Sequence, residues 1–247
     1  MKAYLVFTTT LSSCAMMAIA GFGLSEQAQA FNISGSTRGT WANPIAQGIN
    51  TDPLYTGVGT NSFTWGEAAV DINPAYSQPN QVTFTGNSFS ATTGSWFKVG
   101  DLKYYNGIVY TGTNVDRVGL NLQLSFKDTT NNIQLNKDFS IGFNLINTPN
   151  IIQDNLKDPT NADLVEIAPS FANSSFIFGK TKYKFELIGF GQNGDQRISA
   201  LEGDTYSRDI YARIRPDSPS QNVPEPPTIA ASLLVGMYFV YRKVFRK

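Results

Sequence analysis

The sequence predicts an all-β protein whose domain is an antiparallel two-layer β-sandwich of jelly-roll or immunoglobulin-like character. Three stretches alternate apolar and polar residues with period two, at residues 118–126, 139–145 and 183–187. Such alternation gives a strand one buried and one solvated face, as in antiparallel sheets. Aromatic residues make up 13% of the chain and charged residues only 15%, a composition that favours strands and turns over helices.

Shorter patterns add further strands. Asn106-Gly107 lies between residues 102–105 and 108–110 and predicts a two-residue type I′ hairpin turn. The polar residues 127–138 are expected to form a long hairpin loop between the first two alternating stretches. Weaker strand patterns occur at residues 81–85, 95–99, 163–167 and 209–214. This number of short strands, with no amphipathic helix between them, is typical of a sandwich.

Two absences exclude whole classes of chemistry. The chain has no His, so a Ser-His-Asp or Cys-His mechanism and a His-ligated zinc or haem site are impossible. Its only Cys, Cys14, lies in the N-terminal leader, so the domain has neither a disulfide nor a reactive thiol. The formal charge is zero, and the residues between the two ends are slightly acidic. Nucleic-acid binding needs a basic footprint, so we expect no nucleic-acid partner.

Residues 1–30 predict a secretory signal peptide with an apolar helix. Lys2 precedes a run of apolar and small residues, and the segment ends in an A-x-A pattern at Ala28 and Ala30, which signal peptidase cuts. The domain is then expected to cover residues 31–216. Two alternatives remain open, an uncleaved anchor helix and a lipobox that would make Cys14 a lipidated N-terminus.

The C-terminal end has three parts. Residues 217–227 form a Pro-rich linker, which its prolines keep extended. The apolar run at residues 228–241 predicts a short membrane-inserted helix, below the roughly 20 residues that span a bilayer comfortably. Basic residues that mark the cytoplasmic side close the chain, namely Arg242, Lys243, Arg246 and Lys247. An ordinary tail anchor is the alternative interpretation.

The linker also carries the tripeptide Pro224-Glu225-Pro226. Combined with the short apolar run, the basic end and the signal peptide, it resembles the PEP-CTERM sorting signal. The resemblance implies an exosortase partner that cuts near the motif and passes the protein to the envelope or extracellular matrix, so membrane attachment would be transient. An additional proline at Pro227 and the interruption of the basic cluster by residues 244–245 are small departures from the pattern.

A second resemblance is carried by segments spread over the domain, at residues 39–41, 61–66, 118–126, 143–150, 183–190, 202–203 and 210–214. They are similar to the choice-of-anchor K domain of bacterial surface proteins, and the similarity extends over residues 31–215. This resemblance implies a module that occurs with interchangeable anchoring tails. It implies no chemistry.

Carboxylates are the main remaining candidates for acid–base chemistry. A glycoside hydrolase needs two of them about 5 to 9 Å apart. Asp163 and Glu166 differ by three positions and so point to opposite faces of a strand. Glu202 and Asp204 could share a face, but Gly203 between them favours a solvated turn. We predict no catalytic residue and no enzyme activity, and an exported carboxylate-dependent glycoside hydrolase is the remaining catalytic alternative.

Two binding functions fit the residue types. The turn-forming residues 191–195 and 202–204 offer oxygen ligands that suit Ca²⁺, but neither has the spacing of an EF-hand loop, so no metal ligand or cofactor is assigned. The three tryptophans, Trp41, Trp65 and Trp96, are candidates for stacking on sugar rings. At least two of them are expected in the core, because a sandwich interior readily buries such large rings.

Taken together, these patterns predict an exported protein of the cell surface or extracellular matrix with a non-catalytic, structural or adhesive β domain. The expected partners are signal peptidase and an exosortase during export, and extracellular polysaccharide afterwards. A lectin-like carbohydrate-binding module is the alternative function from a different class.

Overall fold

The strands of this protein form two antiparallel sheets packed face to face, so the predicted all-β sandwich is confirmed. The computed structural model describes residues 30–72, 74–129, 132–149, 155, 157–168, 174–179 and 181–217. Within these residues the strands are β1 (Asn32–Ile45), β2 (Tyr55–Thr56), β3 (Ser62–Trp65), β4 (Asn80–Gly86), β5 (Ser88–Thr92), β6 (Trp96–Tyr105), β7 (Arg117–Asp128), β8 (Gln134–Ile146), β9 (Asp163–Ile167), β10 (Ser174–Phe178), β11 (Thr181–Phe190), β12 (Arg197–Ala200) and β13 (Thr205–Pro216). A single 3₁₀ turn, Pro159–Asn161, precedes β9 in this described part.

The chain crosses repeatedly between the two sheets. Sheet A has the strand order β12-β9-β8-β7-β1-β5, and sheet B has the order β10-β11-β13-β6-β4-β3-β2. Crossings follow β1, β4, β5, β6, β9, β11 and β12. Long-range strand pairing therefore holds together parts of the chain that are far apart in sequence.

The predicted strands are confirmed, except that residues 108–110 contain only an isolated bridge between Val109 and Ala68. The three alternating stretches lie in β7, β8 and β11, and the weaker patterns correspond to β4, the start of β6, β9 and the second half of β13. The predicted long loop at residues 127–138 is wrong, because β7 and β8 stay paired as far as Lys127 and Gln134. Only residues 129–133 connect them. The polar side chains that suggested a loop belong largely to the solvated part of this long hairpin.

The type I′ turn predicted at Asn106-Gly107 is also wrong. Neither residue has a positive φ angle. β6 already pairs with β4 on one side and β13 on the other, so residues 108–110 have no free edge to join. Asn106 is instead fully buried, and its backbone N–H donates to the Asp204 carbonyl at 3.0 Å. Its side-chain amide donates to the Ala200 carbonyl at 2.9 Å.

The long strand β1 has no apolar alternation in sequence, because glycines occupy its inner face. Its inward-facing positions are Ile33, Gly35, Thr37, Gly39 and Trp41. A Cβ atom at Gly39 would lie 2.8 Å from Cδ1 of Phe84 on sheet B, closer than such atoms approach. The glycines thus leave room for aromatic rings between the sheets. Because they interrupt the alternation of apolar residues, β1 was not predicted from the sequence.

Aromatic rings fill the interior. The ring of Phe139 on sheet A stacks on Phe185 on sheet B, with centroids 4.2 Å apart and an interplanar angle of 17°. Phe126 and Phe178 make a second contact between the sheets, at 5.1 Å. Each large ring buries roughly 150–250 Å² of surface. Since the domain has no cysteine, this core must stabilise the fold without a covalent cross-link.

The two sheets join at a corner between β4 and β5. Thr37 of β1 donates its backbone N–H to the Asn87 carbonyl at 2.9 Å, and the Asn87 N–H donates to the Thr37 hydroxyl at 2.9 Å. A Cβ atom on the preceding Gly86 would lie 2.0 Å from the Thr37 carbonyl oxygen. Glycine is therefore required where the chain leaves sheet B and enters sheet A.

Most predictions about the two ends concern residues outside the described part of the chain. These comprise the signal helix with Ala28, the Pro224-Glu225-Pro226 motif, the apolar run, and the four terminal basic residues. The compact unit that contains the sandwich ends at Pro216, where the predicted domain also ends. Among the described residues, no helix has the length and apolar character that crossing a bilayer requires.

We expect the substitution Phe185→Ala to lower the free energy of unfolding by about 3 to 5 kcal/mol, because it removes a ring stacked between the sheets. Urea unfolding of the full-length chain, followed by far-ultraviolet circular dichroism, measures the loss. The matched control is Ile177→Ala on the neighbouring strand, whose exposed side chain should contribute less than about 0.5 kcal/mol. Equal effects of the two substitutions would contradict this account of the core.

Candidate functional site: the outer face of sheet B

The three tryptophans lie in different environments. Trp41 is completely buried and donates from its indole N–H to the Asn61 carbonyl at 3.0 Å. Trp65 is only 3% exposed and stacks between Phe63 and Tyr104. Neither ring can meet a sugar, so these two candidates are corrected to core residues. Trp96 keeps 44% of its surface exposed and remains the candidate for stacking.

The alternation of β6 places Trp96 on the outside. The next residue, Phe97, is buried and stacks on Phe89 of β5 at 4.3 Å. Because neighbouring side chains of a strand point to opposite faces, the indole must face solvent. The preceding turn is anchored by Gly94, which has a φ of 90° and donates its N–H to the Ile214 carbonyl at 2.7 Å. Trp96 therefore projects from a backbone with fixed geometry.

Charged side chains surround the ring on the neighbouring strands. Arg213 of β13 is the direct cross-strand neighbour of Trp96, and its Nε donates to Glu186 of β11 at 2.7 Å. Arg215 donates its Nε to the other oxygen of the same carboxylate at 2.6 Å, and the Lys184 ammonium lies 3.9 Å from that oxygen. We call Trp96, Lys184, Glu186, Arg213 and Arg215 the Trp96 cluster.

Glu186 holds the two arginines of the Trp96 cluster in place. Its side chain is only 12% exposed, so two guanidinium groups cover one carboxylate. The hydrogen bond from Arg215, followed by that from Arg213, holds the pKa of the Glu186 carboxyl below its usual range. The carboxylate thus stays ionised and keeps both arginines on the outer face of the sheet beside the indole.

A second charged group lies further along the same face. Lys98 contacts Asp101 at 2.7 Å and Asp209 at 3.0 Å. The hydrogen bond to Asp101 is the main cause that raises the pKa of the Lys98 ammonium. Beyond this group, strands β4, β3 and β2 present hydroxyl and amide side chains on the outer face, namely Thr85, Thr83, Gln81, Ser62, Thr64 and Thr56. The face therefore runs from a cationic, aromatic end to a neutral, hydroxyl-rich end.

Two buried carboxylates form a separate polar cluster at one end of the sandwich. Glu202 is 1% exposed, so the interpretation of residues 202–204 as a solvated turn is wrong for this side chain. Asp163 is 3% exposed and accepts hydrogen bonds from the backbone N–H and hydroxyl of Thr148, at 2.7 and 2.8 Å. Burial raises the pKa of Asp163 to about 7. Burial, followed by the charges of Asp163 and Glu202, raises the pKa of Tyr104 well above its usual value.

Asp204 remains on the surface beside this cluster. Its carboxylate pairs with the Lys157 ammonium at 2.5 Å, and the same ammonium donates to the Glu202 carbonyl at 2.6 Å. As the sequence predicted for alternating strand positions, Asp163 of β9 is buried while Glu166 is partly exposed on the opposite face. Pairs of carboxylates close in sequence are therefore not brought together on one accessible surface.

A groove of about 1320 Å³ lies beside the start of β7 and the end of β8. Its lining mixes isoleucines, including Ile72 and Ile108, with Asn and Thr side chains. Asp116 is the one carboxylate among the described residues that line it. Its two oxygens accept hydrogen bonds from the Gln47 backbone N–H at 2.5 Å and the Asn50 side-chain amide at 3.0 Å. Asp116 therefore organises the loop around it.

The first calcium candidate, residues 191–195, forms the turn between β11 and β12. Phe190 and Asp195 exchange backbone hydrogen bonds of 2.7 and 3.0 Å, and both Gly191 and Gly194 have positive φ angles. These local requirements account for the Gly and Asn residues. In the described parts of the chain, no group of three or more Asp, Glu, Cys or His side chains is arranged to hold a metal ion. No calcium ligand is assigned.

Comparison with known proteins adds no relative. No protein-family model matches the chain, and no curated protein shows a significant match to it. The PEP-CTERM and choice-of-anchor K resemblances therefore rest on the residues quoted for them.

Asp163 should make the stability of the protein fall as the pH rises. Folding raises its pKa from 3.8 to about 7, so the folded state holds this proton more tightly than the unfolded state. The contribution of Asp163 is then most favourable below pH 3.8, declines through this window, and is constant above about pH 7. At about 1.4 kcal/mol for each pKa unit, the decline is at most on the order of 4 kcal/mol.

The substitution Asp163→Asn should remove this decline, because an amide oxygen can accept the Thr148 bonds without titrating. Urea unfolding at several pH values between 4 and 8 measures this decline in stability. The control for the loss of a carboxylate is Asp138→Asn, at an exposed position. If the wild type and the Asp163→Asn variant showed parallel pH profiles, the buried, protonated state of Asp163 would be ruled out.

Proposed function

We propose that this protein is an exported, non-catalytic component of the cell surface or extracellular matrix that adheres to polysaccharide through the outer face of sheet B. The observation that carries the binding part is the exposure of the Trp96 indole on the outer face of a strand, while the other two tryptophans are buried. Two of the three tryptophans stabilise the core, while the third lies beside hydrogen-bonding side chains on a rigid strand. An aromatic face of this kind can pack against the C–H face of a sugar while polar neighbours bind its hydroxyl groups.

The export part of the proposal is supported by the two ends of the sequence and by Phe31. The ring of Phe31, directly after the predicted cleavage site, lies 5.7 Å from Phe178 and 5.6 Å from Tyr183. Its backbone nitrogen donates to the Thr93 hydroxyl at 3.1 Å. The preceding Ala30 is exposed. Phe31, which would become the new N-terminus, is therefore packed into the domain.

The C-terminal part of the proposal rests on the sequence alone. Pro224-Glu225-Pro226, the apolar run and the basic end would hold the domain at the membrane until an exosortase cuts near the motif. The Pro-rich residues 217–227, which follow β13 in sequence, would act as a spacer between the domain and this tail.

Adhesion is favoured over hydrolysis by the positions of the carboxylates. Glycoside hydrolysis needs two carboxyl groups that both reach the same sugar. Asp163 and Glu202 are closed off from solvent, and Asp116 lines the groove without a second carboxylate among the described lining residues. Asp101 and Asp209 are exposed side by side on the outer face of sheet B, but both are ion-paired to Lys98. The carboxylate of the Trp96 cluster, Glu186, is largely covered and is ion-paired to two arginines. Its position suits a structural role better than proton transfer.

Titration with polysaccharide from the native host should change the tryptophan fluorescence, because Trp96 is the accessible indole. The substitution Trp96→Ala should remove this signal and weaken co-sedimentation with the polysaccharide at least about tenfold, as truncating a central aromatic contact commonly does. The matched control, Ile133→Ala, removes an exposed apolar side chain from the connection between β7 and β8 of sheet A, away from this face, and should bind normally. Undiminished co-sedimentation of the Trp96→Ala variant would exclude this face as the adhesive surface.

The intact mass of the protein recovered from the outer surface or medium of its host should lack residues 1–30 and everything beyond the Pro224-Glu225-Pro226 region. Such a mass requires cleavage at both ends, as the proposed export route demands. A mass that retains the tail through Lys247, found in the inner-membrane fraction, would instead indicate a plain tail anchor and would contradict exosortase sorting.

A further inference from the structure

We infer that the Trp96 cluster selects acidic polysaccharide, a polymer that carries carboxylate or sulfate groups, over neutral polysaccharide. This inference rests on the proposed function and specifies the class of ligand. Its basis is the local charge: Lys184, Arg213 and Arg215 surround one carboxylate, Glu186, directly beside the exposed indole. The chain as a whole has a formal charge of zero, so this cationic end is a local feature of the sheet.

The arrangement of Glu186 under the arginines is suited to anion binding. A guanidinium has five N–H donors in a fixed fork. The Nε of Arg213 donates to Glu186, and no other hydrogen-bond partner of this guanidinium occurs among the described residues. Its side chain is 37% exposed, against 12% for Glu186. The carboxylate below thus fixes the position of the guanidinium while leaving donors for a ligand above.

Desolvation distinguishes the two kinds of polysaccharide. A neutral sugar stacked on Trp96 would partly remove water from Arg213 and Arg215 without supplying a charge, which is unfavourable. A carboxylate or sulfate on the sugar would replace that water with charge-assisted, bidentate hydrogen bonds. Specificity then comes from a penalty on the neutral polymer as well as from attraction to the acidic one.

The remaining charges of the face determine where such a ligand binds. Lys98 is paired with both Asp101 and Asp209, so that group contains one more negative than positive charge. Lys103, exposed two positions after Asp101 on β6, balances that charge, so the middle of the face offers an acidic polymer no net positive charge. An acidic ligand is therefore directed to the end of the face that carries Trp96. The group of Lys98, Asp101 and Asp209 separates this end from the hydroxyl-bearing strands β4 and β3.

The test compares alginate, an acidic polysaccharide, with dextran, a neutral one. Each is titrated into the full-length protein in calcium-free buffer, and the tryptophan fluorescence is followed. We expect alginate to bind at least about tenfold more tightly than dextran at low salt, and the difference to shrink several-fold in 0.5 M salt, because salt screens exposed charges. Arg213→Gln and Arg215→Gln should each weaken alginate binding by about three- to tenfold. The matched control, Arg208→Gln, removes the same charge from the same strand, where the guanidinium lies over the Tyr206 ring, and should bind alginate normally.

Glu186→Gln removes one negative charge from the Trp96 cluster, and its amide oxygen can still accept a hydrogen bond from an arginine, so this variant tests the net charge while both arginines are kept. We expect it to bind alginate as tightly as the wild type or more tightly, with unchanged dextran binding. A fall in its alginate affinity equal to that of Arg213→Gln would overturn the electrostatic account.

The outcomes also separate this inference from the function on which it rests. Equal binding of dextran and alginate would overturn the selectivity and leave adhesion to polysaccharide standing. Binding of neither polymer, nor of the host polysaccharide, would remove the proposed function itself. If phosphatidylglycerol in mixed micelles displaced alginate at equal concentrations of negative charge, the face would belong to an anionic membrane surface, and the inference would be overturned.

Discussion

The packing of aromatic rings between the two sheets is the interaction on which the rest of this structure depends. Phe139 on Phe185 and Phe126 on Phe178 join sheet A to sheet B. The domain has no disulfide, so burial of the whole apolar core around these rings must offset most of the conformational entropy lost on folding. Close packing also restricts which residues the backbone can carry, since Gly39 has no room for a Cβ atom beside the facing ring of Phe84.

The same packing determines the surface. Phe97 must point inward to meet Phe89, and so the adjacent Trp96 points outward. On β13 the buried alternate positions send Arg213 and Arg215 to the same outer face. A ligand that binds there would meet side chains already held in place by strand pairing and by Glu186, which lowers the entropic cost of binding. The proposed adhesive surface is thus a direct consequence of a rigid core.

One end of the sandwich departs from the apolar pattern. Asp163, Glu202 and Asn106 are buried there together with Tyr104. Hydrogen bonds from Thr148 to Asp163, and from Asn106 to the Ala200 carbonyl, partly compensate for the loss of water. In sequence, Asn106-Gly107 and Glu202-Gly203 are ordinary turn signals. They misled the prediction because two segments nearly 100 residues apart meet at this point, and each supplies backbone partners that local sequence cannot reveal.

The sequence by itself determined the fold class and most strands, because alternation of apolar side chains reflects a local rule with a period of two. It also excluded catalysis and metal binding by histidine, because the chain contains no His. The candidate sorting signals at both ends were likewise located from the sequence. Only the tertiary structure decided the strand order, the glycine-bearing β1, and which tryptophan is accessible. Trp41, Trp65 and Trp96 all lie in plausible strands, and exposure depends on what the facing sheet places over each ring. The Trp96 cluster likewise combines β6, β11 and β13, whose register long-range pairing alone establishes.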